Sequence, residues 1–228
     1  MKKGKLIVIE GSDGAGKTTQ ITLLEEYFRK NQIQFKIHDF PQYETSFFGK
    51  FIGQFLNGEF GSVENVPPYF VSFPFAADRF LAKDMLQKEL NEGNIILLDR
   101  YVGSNAAFQG ARILDVKKRE EFIKWLFKME YEILKVSKED LIIFLYVPVD
   151  IAQKLIMIRE KKDYLSKGKK RDIYEKDVEF QKRTSKIYQE FCRKYKNWVL
   201  INCTKDGKIL SREEIHAKVI KVCSGLFH

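Results

Sequence analysis

Eight residues near the N-terminus constrain this chain more than any others: Gly11-Ser12-Asp13-Gly14-Ala15-Gly16-Lys17-Thr18, a full match to G-x-x-x-x-G-K-[ST]. Their setting matters as much as the pattern. An apolar strand, Lys-Leu-Ile-Val-Ile, runs into the motif, and an amphipathic helix carrying Ile21, Leu24 and Phe28 runs out of it. The glycines allow consecutive backbone N–H groups to turn inward around phosphate oxygens. The helix start adds the positive end of its dipole at the same spot. Lys17 is expected to bridge the β- and γ-phosphates of a nucleoside triphosphate, and the Thr18 hydroxyl to ligate Mg²⁺. The loop alone says no more than user of a triphosphate. A GTPase would add a guanine-reading N-K-x-D, and Thr204-Lys205-Asp206-Gly207 is only a superficial echo of it.

The rest of the chain alternates short apolar runs with longer segments of helical period, the pattern of a parallel α/β sheet. Strands are expected at Lys5–Glu10, Phe35–Asp39, 94–98, 141–147 and Trp198–Asn202. They are nearly continuous in Ile, Val, Leu and Phe, as strands covered on both faces should be. Helices are expected at Lys17–Lys30, 68–92, 117–136, 149–161, 176–195 and 211–224. In the third of these, Phe122, Leu126, Met129 and Ile133 recur at three- and four-residue steps and read as one buried face. The one break in composition is 160–176, mostly charged and poor in apolar residues. It suits a solvated loop or a mobile lid.

With 228 residues, 44% of them hydrophobic, the chain suits one ordinary domain, 1–228, with its lid at about 159–176. No apolar run approaches the ~20 residues that span a bilayer, and the N-terminus has no signal-peptide pattern. Cys192, Cys203 and Cys223 have no metal-type spacing and read as reduced thiols in a cytoplasmic protein. The net charge of +9 calls for a negatively charged partner, either nucleic acid or nucleotide phosphates. No zinc-ligand set and no RNP-type aromatic motif accompanies the lysines. A solvated basic surface accounts for most of that charge, and no nucleic-acid or membrane partner is expected. His38, His216 and His228 read as bystanders.

Four further segments narrow the chemistry. The third strand ends in Asp99-Arg100-Tyr101, which places an acid and an arginine at the carboxyl edge of the sheet, where ligands bind in open α/β folds. Phe40-Pro41-Gln42-Tyr43 follows the second strand at the same edge. Pro74-Phe75-Ala76-Ala77-Asp78-Arg79 sets an aromatic and an arginine four residues apart on one helix face. Gly103-Ser104-Asn105-Ala106-Ala107-Phe108 comes next after the acid–arginine pair.

In this order and spacing the chain resembles the thymidylate kinase family of P-loop nucleoside monophosphate kinases, almost end to end. The resemblance implies a three-layer fold around a five-stranded parallel sheet of order 2-3-1-4-5, flanked by helices and closed by a mobile lid. It implies transfer of the γ-phosphate of ATP to dTMP with Mg²⁺, in a homodimer. It also implies roles. Phe75 would stack on thymine and Arg79 would donate to its O4. Arg100 would clamp the dTMP phosphate, helped by Tyr43 from the segment that Phe40 opens. Asp13 would contact the 3′-hydroxyl, while Phe108 and Asn105 would wall off the 2′ carbon. Asp99 would hold Mg²⁺ through water. One branch of the family carries an arginine in the P-loop where this chain has Gly14, so the lid would supply it: Arg171 for the transferred phosphate and Arg159 on the ATP side, with Tyr174 over dTMP. Each residue has a plainer alternative: Phe75 and Phe108 as core aromatics, Arg79 as a surface helix residue, Asp99–Arg100 as a structural ion pair. The rival functions are another deoxynucleotide or deoxynucleoside kinase, or a non-catalytic P-loop module.

Overall fold

The computed structural model describes residues 3–61, 65–163 and 177–227, with backbone only for 158–163. Five parallel strands, β1 (Lys5–Glu10), β2 (Phe35–Asp39), β3 (Ile95–Asp99), β4 (Leu141–Tyr146) and β5 (Trp198–Asn202), form one sheet. Its order is β2-β3-β1-β4-β5, as the resemblance implies. The order reverses beside β1, and the loops leaving β1, β2 and β3 gather at that point. Alternation along β1 divides the core in two. Leu6 and Val8 face one layer of helices, and Ile7 and Ile9 face the other.

Helix α1 (Lys17–Lys30) lies on the second face, where Leu24 and Phe28 are wholly buried. The other helices are α2 (Phe47–Leu56), α3 (Pro68–Asn91), α4 (Val102–Gly110), α5 (Val116–Phe127), α6 (Val149–Asp163), α7 (Val178–Lys194) and α8 (Arg212–Cys223). A small antiparallel hairpin, β6 (Thr204–Lys205) with β7 (Lys208–Ile209), turns through Gly207.

Two helices, α2 and α4, were not expected. Helix α2 contains two glycines, which lower helix propensity, yet Ser46 caps it by accepting the Gly49 N–H at 2.7 Å. Gly49 is there for clearance, since a Cβ would collide with the Gln42 carbonyl. Helix α4 has no cap of its own. The Glu10 carboxylate at the end of β1 accepts Tyr101 N–H at 3.1 Å and Ser104 N–H at 3.0 Å, so the cap comes from a neighbouring strand.

The expected helix 117–136 is corrected in its second half. Helix α5 ends at Phe127, and a π-helical turn spans Lys128–Ile133, marked by Leu134 N–H donating to the Met129 carbonyl at 2.9 Å. The extra residue in that turn shifts the helical phase. Phe122, Leu126 and Met129 stay buried, but Ile133 swings out to 67% exposure, and Glu130 points inward with no exposed surface.

Candidate active site

The site begins at the turn between β1 and α1. Gly14 and Gly16 have φ of +78° and +86°, a region costly for residues with a Cβ. A Cβ at Gly14 would also stand 2.8 Å from the Ala152 carbonyl. Helix α1 starts with no side-chain cap and no acid in its first turn, so its leading N–H groups remain open to an anion. Gly11, Ser12 and Ala15 are buried beneath the loop and Thr18 is exposed at its rim. Lys17 is buried, 3.4 Å from the Ser12 carbonyl and 3.8 Å from the Asp13 carboxylate. Burial, then the nearby Arg100 charge, lowers its pKa.

Arg100 lies across the loop. Its Nη2 donates to Asp13 Oδ1 at 2.6 Å, and its Nη1 donates to Ser104 Oγ at 3.2 Å. Burial opposes its charge, but Asp13, Tyr188, Asp99 and Glu10 together outweigh that and raise its pKa. The Arg100 backbone sits at φ +65°, an unfavourable position for a long side chain. Its N–H is nevertheless bonded to the Ile9 carbonyl at 3.1 Å. Ser104 in turn donates to Glu10 at 2.6 Å, and Tyr188 OH donates to the same carboxylate at 2.8 Å. With four hydrogen bonds, Glu10 is a structural acid with no capacity left for a base's work.

Asp99 ends β3 beside these groups. Its Oδ1 is buried and has no hydrogen-bond partner among the described residues. A carboxylate oxygen left bare next to a phosphate loop suits a hydrated divalent cation. The Thr18 hydroxyl across the loop completes the donor set expected for Mg²⁺, so the residues present fit that ion. Asp39 stands opposite Asp99 in the β2–β3 register, and burial, with the Asp99 charge second, raises its pKa.

Behind Arg100 a pocket opens, lined by Asp13, Phe40, Tyr43, Phe75, Arg79, Arg100, Asn105 and Phe108. Every residue that the resemblance assigned to a nucleotide substrate, among those described, therefore lies on one cavity. Phe108 places its ring under the Arg100 guanidinium at 5.0 Å. Phe75 and Phe108 also pack on the core, so the plainer reading of them is partly true. Tyr43, 41% exposed, stands at the mouth. Its loop is tied to α3 by Asp78, which accepts Gln42 N–H at 2.8 Å and the Ser46 hydroxyl.

Arg79 departs most from its plainer alternative, being buried. Its Nε donates to Glu130 Oε2 at 2.8 Å and its Nη2 to Glu130 Oε1. Burial disfavours its charge, and the Glu130 carboxylate more than restores it, so its pKa rises. Asn105 spends both Nδ2 hydrogens, on the Ser72 carbonyl and on Glu130 Oε1, each at 3.1 Å. Its Oδ1 is buried without a partner among the described residues.

Sequence reasoning missed Glu130, Asp78, Ser104 and the spent Glu10. Ser104 and Asp78 were in view within quoted segments, and the spacing of Glu130 four residues after Leu126, on the apolar face of its helix, was the signal that could have found it. His38 has a partner after all, Glu89 at 2.7 Å, away from the pocket. Arg171 and Tyr174 lie outside the described residues, as does the Arg159 side chain. All three cysteines are free, and no described helix is long and apolar enough to cross a membrane.

Comparison with known proteins points to one family. Residues 9–215 match the family model described as thymidylate kinase. A thymidylate kinase of Mycobacterium tuberculosis is 34% identical over 185 residues, covering 81% of this chain and 84% of the relative. One of Plasmodium falciparum is 32% identical over 220 residues, covering 96% and 90%. A solved thymidylate kinase from Candida albicans superposes with a TM-score of 0.75 at 24% identity, covering 98% of this chain and 92% of that one, and attests the fold.

Proposed function

The chain belongs to the thymidylate kinase family, and from that premise we propose how its pocket recognises dTMP and moves a phosphate onto it. The reaction is ATP-dependent phosphoryl transfer, giving dTDP and ADP. The observation that carries the substrate assignment is the pair of polar groups left over in the pocket. Arg79 can only donate. Asn105, with both N–H groups used on acceptors, has only its Oδ1 to offer. A donor next to an acceptor matches thymine O4 and N3–H. Cytosine presents an amino group and a bare N3 at those positions, so both contacts would oppose like with like and leave buried groups unpaired. Phe75 stacks on the ring, and Asn105 thus moves from the sugar wall to the base edge.

Phosphoryl transfer needs positive charge around the migrating group and an aligned acceptor. Lys17 and the open N-terminus of α1 hold the triphosphate. Arg100 takes the dTMP phosphate, and Asp13, already bonded to it, orients that guanidinium and receives the 3′-hydroxyl. Tyr43 closes the phosphate side. Thr18, and Asp99 through water, would hold Mg²⁺, which would supply positive charge to the triphosphate. Arg171 supplies charge to the transferred group, with Arg159 and Tyr174 on the ATP and dTMP sides. Glu10, fully hydrogen-bonded, leaves no spare acid after β1 to activate a nucleoside hydroxyl, which favours a monophosphate acceptor.

A homodimer fits the exposed face of α3, where Phe70, Phe73, Phe80, Leu81 and Met85 are open to solvent. An apolar stripe repeated every three to four residues along one helix can meet its own copy across a two-fold axis. Free thiols and the absence of any metal-type cysteine spacing suit the cytoplasm. The deciding experiment is ADP release with ATP-Mg²⁺ and dTMP, dUMP, dCMP, dGMP, UMP, CMP or thymidine. Strong turnover with dTMP, less with dUMP and little with dCMP supports the reading. Preference for thymidine, or for dCMP, refutes it.

A further inference from the structure

Among the described residues, Glu130 bonds to none of the phosphate loop, yet it holds both members of the base-reading pair. Its two oxygens take the Nε and Nη2 of Arg79, and Oε1 also accepts the Nδ2 of Asn105. The carboxylate is wholly buried, as is most of the arginine. A carboxylate can only accept, so it dictates which end of each partner faces it. Together with the Ser72 carbonyl, which takes the other Nδ2 hydrogen, it turns the Asn105 amide so that Nδ2 faces inward and Oδ1 is left over. It engages two of the three guanidinium nitrogens, and Nη1 then has no closer described partner than the Tyr101 carbonyl at 3.5 Å.

Glu130 lies four residues after the buried Leu126, on the same helix face. Continued α-helix would have kept Ile133 in that face as well. The π turn at Lys128–Ile133 turns Ile133 outward, while Glu130 stays inward. Such turns are frequent at functional sites, and this one carries a buried acid behind Arg79 and Asn105. A buried ion pair adds little net stability over an apolar replacement, so its retention is better explained by orientation than by energy.

We propose that Glu130 is a positioning residue that sets pyrimidine specificity, fixing Arg79 as donor and Asn105 as acceptor toward the base. This rests on the substrate reading above, and the two fail separately. Glu130→Gln replaces the carboxylate by an amide that can donate as well as accept. Asn105 then keeps only the Ser72 carbonyl to orient its amide, and a reversal at the cost of that one bond lets Oδ1 accept from the introduced side chain and presents Nδ2 to the ring. That arrangement suits the bare N3 of cytosine.

The test measures kcat/KM for dTMP and dCMP with saturating ATP-Mg²⁺, in the wild type, Glu130→Gln and Glu130→Asp, with folding checked by circular dichroism. Preference of the wild type for dTMP over dCMP tests the substrate reading alone. In Glu130→Gln that preference should fall at least ~10-fold, through loss with dTMP and no matching loss with dCMP, while KM for ATP stays within about two-fold. Glu130→Asp keeps the charge opposite Arg79 but is one methylene short of bridging both partners. It should shift the ratio in the same direction by a smaller factor, and it serves if the glutamine variant does not fold. Equal losses with both substrates, or an unchanged ratio, would mean that Glu130 is merely structural and would overturn the proposal.

Discussion

Glu139 precedes β4 at the edge of the sheet opposite the phosphate loop, and Glu139→Gln should stabilise the protein in alkaline solution. The carboxyl is buried, and both its oxygens accept from Tyr131 OH, at 2.9 and 2.8 Å. Burial raises its pKa from an ordinary 4.5 to about 7, against the lowering effect of a backbone hydrogen bond and the Tyr131 hydroxyl. In the unfolded chain this group releases its proton near pH 4.5, whereas in the folded chain it holds it until about 7. Its contribution to stability is therefore fully present below the lower value and is lost as the pH rises through the upper one. A gap of about 2.5 pH units, at about 1.4 kcal/mol each, amounts to about 3.5 kcal/mol. Glutamine carries no charge at either pH and can still accept from Tyr131. Urea denaturation at pH 5 and pH 8.5 should show the two proteins within about 1 kcal/mol of each other at the lower pH. At the higher pH the variant should be more stable by about 2–3 kcal/mol. If wild type and variant lose stability in parallel between these pH values, Glu139 does not titrate in that range and the burial argument is wrong.

Replacing Phe108 by alanine should improve kcat/KM for UMP relative to dTMP, by steady-state assay; unchanged discrimination would remove Phe108 from the sugar wall. Gly103→Ala should cost about 1–3 kcal/mol in chemical denaturation, because a Cβ there would meet Trp198 ring carbons at 2.5 and 2.8 Å and Glu10 at 3.1 Å. Arg171→Ala should lower kcat far more than it raises KM, and a change confined to KM would take that arginine out of the transition state.

The sheet was legible because its strands are unbroken apolar runs, and the phosphate loop because its glycines and lysine sit between a strand and a helix. Boundaries shifted by a residue or two, as at Ile95–Asp99. What was hidden depends on groups far apart in the chain. The cap of α4 is Glu10, separated from Ser104 by 94 residues, so no local pattern announced that helix. The outward turn of Ile133 depends on a π insertion that breaks the very periodicity used to read α5. Arg79 was assigned to the base by the family resemblance, but its partner, 51 residues on, could be found only in three dimensions. Asn105 was assigned to the substrate and does line the pocket, and its proposed move from sugar to base follows from what its amide hydrogens bond, which no sequence pattern records.

The 2.6 Å pair between Arg100 and Asp13 gives the phosphate site an internal counterion. A protein of net charge +9 would ordinarily gather any passing anion, but here the guanidinium that would do so is already neutralised by a carboxylate from the neighbouring loop. A small anion must compete with that carboxylate using one group of oxygens and nothing else. On the proposed reading a nucleotide brings a base and a sugar to the same contest, and their contacts would offset the disturbed pair, so that the site would favour a nucleotide over free phosphate or sulfate.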